Sequence, residues 1–269
     1  MRARPAPLPC VGGDDAGGVA RAAVAVLSMF IVSVMLLGVP PVGFGMKALP
    51  PGLTVNGIFD LGMHACGLLL AHLRLWWAVC GGAPRLGATS AYVGLLLLAA
   101  EGVGAHTVAN TVDIAMGHVS PSRGAVPWLV YAFHETLSHT LVYGGHVALL
   151  AAAAWEEGRR AGPATGPAGG MASHAAIPPS HVAAAMLHAL AAVVVCIGTR
   201  TSIPLALGAV AALAAAHAAR RDGTLSPARR PLLCLLCLGA PVVLAGVGGW
   251  AVYFGGSLPT FDDLRGAYT

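Results

Sequence analysis

Residues 128–146 read WLVYAFHETLSHTLVYGGH, a stretch long and apolar enough to cross a bilayer as one helix. It nevertheless carries Glu135 and three imidazoles, His134, His139 and His146. Such groups are costly at membrane depth unless they face a partner, a cavity or a metal. At about 100° per residue, Glu135, His139 and His146 fall along one stripe, with His134 and Ser138 on its flank. One face of a transmembrane helix is therefore expected to be polar. His134 and His139 stand five residues apart, about 140° around an α-helix, so both need not bind one metal.

The composition around this stretch fixes the class. Of 269 residues, 57% are hydrophobic and 10% charged, and the mean hydropathy is +0.75. These values describe an all-α, polytopic membrane protein and not a soluble domain. The basic pI carries no implication of nucleic-acid binding; the expected partners are membrane lipids and a small-molecule or lipid substrate. Seven candidate spans follow, at 20–44, 56–80, 88–115, 127–154, 178–199, 202–219 and 231–255. Arg2, Arg4, Arg21, Arg74, Arg85, Arg159, Arg160, Arg220, Arg221, Arg229 and Arg230 then share one side of the membrane. Lys47, Arg123, Arg200 and Arg265 share the other. By the positive-inside rule the N-terminus is expected in the cytosol and the C-terminus outside or in a lumen.

The expected organisation is a cytosolic tail (1–19), a seven-helix membrane domain (20–255) and an outer tail (256–269). A Gly/Pro/Ala loop at 156–177 divides the domain into a four-helix part (20–155) and a three-helix part (178–255). The first span lacks a small-residue cleavage site and reads as a retained helix. It has no titratable group after Arg21, so it is expected at the periphery. The six cysteines do not form a disulfide framework in this reading, and Cys234-x-x-Cys237 reads as packing. Asp262 and Asp263 in the outer tail read as solvated.

Polar residues recur at one depth in three successive spans. Span two carries Asp60 and His64 four residues apart, hence on one face, while His72 reads as a hydrogen-bonded packing residue. Span three carries Glu101, His106, Asn110 and Asp113, the last three spaced four and three apart on one face. Gly102, Gly104 and Ala105 beside them would let a neighbouring helix approach closely. His134, Glu135 and His139 reach a matching depth in span four. His181, His188 and His217 lie at other depths.

Carboxylates with neutral imidazoles are the ligand set of zinc, iron and manganese. His64, His106, His139 and Asp113 make an ordinary first set of ligands for a divalent metal, zinc foremost and iron as the alternative. Asp60, Glu101, Asn110, His134, Ser138 and His146 would support it, with Glu135 or Asp113 moving the proton. Three functions suit such a site. One is a membrane-embedded metal hydrolase acting on a lipid-like substrate. Another is a divalent metal-ion transporter, whose path His146, His188, His181 and His217 would extend. The third is a haem protein, with a non-catalytic receptor as a further reading.

Two resemblances attach to these residues. Seven spans, Asp60-x-x-x-His64 in span two and Asp113 in span three resemble the CREST group, which includes alkaline ceramidases and progestin/adiponectin receptors. That group holds zinc with a Ser-x-x-x-His, an Asp and a last-span His-x-x-x-His, and its hydrolases cleave lipid amides. Here Asp60 stands in the Ser position and the last span has no histidine, so the resemblance implies that span four supplies the remaining ligands. Asn110-x-x-Asp113 followed by His134-Glu135 is similar to the paired metal-binding helices of ZIP transporters, His-Asn-x-x-Asp and His-Glu-x-Pro-His-Glu. Ala109 replaces the first His of that pattern, the Pro is absent, and His139 stands in the final Glu position. The CREST resemblance implies a zinc hydrolase, the ZIP resemblance a metal carrier.

Overall fold

The computed structural model describes residues 13–38, 48–49, 53–54, 60–116, 123–161, 176–260 and 263–264. It is helical throughout, apart from a ribbon pairing Ala48–Leu49 with Leu53–Thr54. The helices are α1 (Gly13–Gly38), α2 (Asp60–Leu68 continuing as Leu69–Val79), α3 (Leu86–Ala115), α4 (Ala125–Arg160), α5 (Pro179–Gly198), α6 (Ser202–Arg221) and α7 (Pro231–Tyr253).

Six of them, all but α2, are long and apolar enough to cross a membrane. The seventh expected span, 56–80, is helical from Asp60, but its apolar part, Cys66–Val79, is shorter than a span. Leu97, Val108, Ile203, Leu207 and Val252 all point outward, as an apolar solvent favours. The architecture fits a multi-pass integral membrane protein.

The first helix corrects its expected place. Its apolar side chains suit a protein interior as well as lipid, and one stripe of them, Val19, Ala23, Val26, Leu27, Phe30 and Val34, is buried. This stripe packs on α2, α5 and α7, so α1 joins the two halves of the bundle.

Small residues set the closest approaches. A Cβ at Gly102 of α3 would stand 2.6 Å from Leu141 Cβ and 3.0 Å from the Val142 nitrogen of α4. One at Gly145 would meet Ala99 Cβ at 3.1 Å. The expectation of close helix approach thus holds at Gly102, whereas Gly104 faces open space.

Helix α4 continues through residues 156–160, where the sequence reading starts a loop. Two carboxylates explain the extension. Glu156 receives Arg85 at 3.0 Å, Arg159 at 3.1 Å and Arg160 at 3.1 Å, and three guanidinium groups offset the cost of burying it. Glu157 accepts the backbone N–H groups of Leu232 (2.8 Å) and Leu233 (3.0 Å), satisfying donors that the first turn of α7 would otherwise leave unpaired. Arg160 also donates to the carbonyls of Cys80 and Ala83. The turn between α2 and α3, the end of α4 and the start of α7 are therefore tied at one arginine-rich end.

At the opposite end Asp263 is paired, not merely solvated. Its carboxylate accepts Thr260 N–H at 2.7 Å and Arg200 Nη2 at 2.6 Å. The Thr260 N–H, aided by the Thr260 hydroxyl and Arg200, holds that carboxyl below its usual range. Asp262 lies outside the described residues. The described cysteines are free, and Cys237 Sγ contacts the Ala212 carbonyl at 3.4 Å, in keeping with packing.

Candidate metal centre

The polar stretch of α4 is not wound as an ordinary α-helix. Residues Ala132–Ser138 and Thr140–Gly144 form π-helical turns, with α-helix on either side. In a π turn the N–H of residue i+5 bonds the carbonyl of residue i, which brings residue i+5 back toward the side of the helix that carries residue i. His134 and His139, about 140° apart in α winding, are thereby brought to one side. This is the local device that makes the site.

The α3 helix supplies the third imidazole. Its approach at Gly102 sets His106 against the widened turn, with His106 Nε2 3.1 Å from His134 Nε2. One nitrogen from each of His106, His134 and His139 lies within 4.8 Å of the other two, and a metal ion could sit among them. The rings surround a common point, with centroids 4.6 Å (106–134), 5.0 Å (106–139) and 5.4 Å (134–139) apart.

Glu135 works from behind this cluster. Oε1 lies 2.9 Å from His134 Nδ1 and Oε2 lies 3.6 Å from His139 Nδ1. A carboxylate at both Nδ1 atoms favours protonation there and leaves both Nε2 lone pairs for an ion. The His139 Nδ1 also sits 3.2 Å from the Glu135 carbonyl, which an Nδ1–H can bond. Ser138 is buried and donates its hydroxyl to the His134 carbonyl, turning inward along the helix and not toward the imidazoles. The side chains of His134 and Glu135 are each 22% exposed, so the cluster is reachable from the bundle surface.

The ligand set expected from sequence is thus redistributed. His106 and His139 come together as expected, and His134, expected on the flank, joins them. Asp113 and Asn110 lie further along α3, Asp113 about 10 Å beyond His106 by helical rise, and neither belongs to the cluster. Glu101 is exposed one turn on the other side. The side chains of Asp60 and His64 lie outside the described residues.

His146 belongs to a different group. The π turns shift it off the Glu135–His139 stripe and into the bundle centre, where it is buried and uses both ring nitrogens. Its Nδ1 lies 2.8 Å from His72 Nε2 and its Nε2 2.9 Å from His188 Nε2. Tyr92 completes the chain, its hydroxyl 3.4 Å from His72 Nδ1 while donating to the His72 carbonyl at 3.1 Å. Phe30 of α1 stacks on His146 at 4.2 Å. Four helices, α2, α3, α4 and α5, are joined by this buried line. His72 meets its expectation as a hydrogen-bonded packing residue. No helical periodicity links His72, His146 and His188, which come from separate helices, and so the sequence reading missed the group.

No family model, curated protein or solved structure matches this chain. The chemistry of the site therefore rests on its own geometry.

Proposed function

We propose that this membrane protein is a metal-dependent hydrolase of a lipid-like substrate, with one divalent ion, zinc foremost and iron as the alternative, held by His106, His134 and His139. The observation that supports this best is the cluster of three imidazole nitrogens with a carboxylate behind two of them. Three protein ligands suit a catalytic centre, in which a fourth position stays open, whereas structural zinc sites are closed by four. A divalent ion held by His106, His134 and His139 would supply Lewis acidity and activate water near neutral pH.

The chain's own residues do the rest. The π-wound turn and Gly102 hold the imidazoles in place. Glu135 fixes the tautomers of His134 and His139. The partly exposed cluster and the apolar outer faces of α3 and α4, including Val108, Leu129, Phe133 and Leu137, suit a substrate that arrives sideways from the bilayer.

The separation of the two imidazole groups favours this reading over a carrier. Between His139 and His146 stand the rings of Tyr143, 5.8 Å from His139, and Phe30, stacked on His146. These rings fill the way that ligands for an ion in transit would have to line. The 3.1 Å between His106 Nε2 and His134 Nε2 likewise favours a single ion over a haem plane.

The test is hydrolysis of fluorogenic lipid esters and amides by purified protein in vesicles, beside zinc uptake by the same vesicles. Chelation should abolish hydrolysis and added zinc restore it. Glu135→Gln should weaken metal affinity by roughly 10–100-fold and recover activity at raised zinc. Zinc uptake without hydrolysis of either ester or amide would replace this reading with the carrier.

A further inference from the structure

A second, separate feature is a cavity of about 460 Å³ between α4, α5, α6 and α7, with Leu27 and Phe30 of α1 at its wall. It exists because the facing sides of these helices are largely alanine and glycine, among them Ala185, Ala189, Ala212 and Gly239. Leucine and valine complete walls that are overwhelmingly apolar, and the volume lies in the range of ligand pockets. At its inner end are His146 and His188; at its other end are Arg159 and Arg230. Trp155, 74% exposed, stands on the wall beside Arg159 and marks an opening toward lipid.

Among the described side chains, the charges at the arginine end do not balance. Arg85, Arg159 and Arg160 all share the single carboxylate of Glu156. Glu157 is committed to two backbone N–H groups of α7. Arg230 donates one Nη2 bond to the Gly158 carbonyl at 3.3 Å, while its Nε is buried with no hydrogen-bond partner among the described residues. Among the described side chains, four guanidinium groups thus meet two carboxylates beside an apolar bore. An anion at the cavity mouth would answer this excess of positive charge.

We propose that this cavity binds an anionic membrane phospholipid, with one acyl chain in the bore and the phosphate on Arg159 and Arg230. Basic pockets between transmembrane helices recognise anionic headgroups in this way. The proposal does not depend on the metal centre: no residue of the three-histidine cluster lines the cavity.

The experiment is native mass spectrometry of the full chain released from nanodiscs of mixed phosphatidylglycerol and phosphatidylcholine. One retained phosphatidylglycerol per chain is expected, at least about tenfold over phosphatidylcholine. An Arg159→Gln, Arg230→Gln double variant should lose that preference, and Ala212→Phe should lose retention of both lipids by filling the bore. Arg230→Lys, which keeps the charge but removes Nε, should give an intermediate preference and serves if the double variant does not fold. Arg229→Gln, outside the cavity lining, should change nothing. Equal retention of the two lipids, or retention unmoved by Ala212→Phe and Arg230→Lys, would overturn the proposal. Displacement of phosphatidylglycerol by oleate at equal concentration would assign the cavity to a fatty acid instead. Displacement by inorganic phosphate alone would reduce it to an anion site without a chain.

Discussion

Gly102→Val is expected to abolish metal retention and to lower stability, whereas Gly104→Val, two residues along the same helix, should leave both near wild type. A Cβ at 102 would stand 2.6 Å from Leu141 Cβ, 3.0 Å from the Val142 nitrogen and 3.1 Å from the Ser138 carbonyl oxygen. Two of those three neighbours are backbone of the π-wound turn, which cannot rotate aside, so α3 must move away from α4. Overpacking of this kind costs about 1–3 kcal/mol. The site suffers more than the fold, because ligand distances must hold to within about 0.2 Å and His106 rides on the helix that moves. A Cβ at Gly104 meets nothing within 4 Å. The check is metal content and thermal unfolding of both variants in the same detergent. Equal behaviour of the pair would contradict the packing that sets the site.

His146→Leu is the second large effect. It leaves His72 Nε2 and His188 Nε2 without the partners they hold at 2.8 and 2.9 Å, the first fully buried and the second on the wall of the apolar cavity. Each buried polar atom left unpaired costs roughly 1–3 kcal/mol, so the single change should destabilise by about 2–6 kcal/mol. Replacing His72, His146 and His188 together by leucine removes the donors and acceptors at once and should cost less than the single change. Unfolding of the two variants in mixed micelles decides the point. A triple variant weaker than the single one would mean that the three imidazoles do more than satisfy one another.

The sequence carried the helical class and most of the positions of the site, for reasons that are local. Apolar runs of span length leave few folds open, and a carboxylate beside imidazoles inside such a run stands out by its cost. His106, Glu135 and His139 were therefore visible as site residues before any contact was known. The place of His134 was not, because the angular argument assumed 100° per residue, and the π turns at 132–138 and 140–144 leave no composition signal that distinguishes them from α-helix. The same assumption put His146 on the wrong stripe.

Long-range partners were hidden for a different reason. The three imidazoles of the central line come from α2, α4 and α5, which meet only in the folded bundle, where α1 packs on both α2 and α5. An apolar α1 with no titratable group looks alike from sequence whether it faces lipid or the core. Glu156 and Glu157 read as the start of a loop because their partners, Arg85 and the first turn of α7, are more than seventy residues distant.

The central claim is that π winding of α4 gathers His134 with His106 and His139 around one ion. The most direct test is elemental mass spectrometry of the detergent-purified protein beside His134→Ala, the ligand that regular α-helical winding would leave out. The account predicts about one zinc or iron ion per chain in the wild type and a loss of about tenfold or more in the variant. A wild-type protein without stoichiometric metal, or a His134→Ala protein that keeps it in full, would contradict the claim.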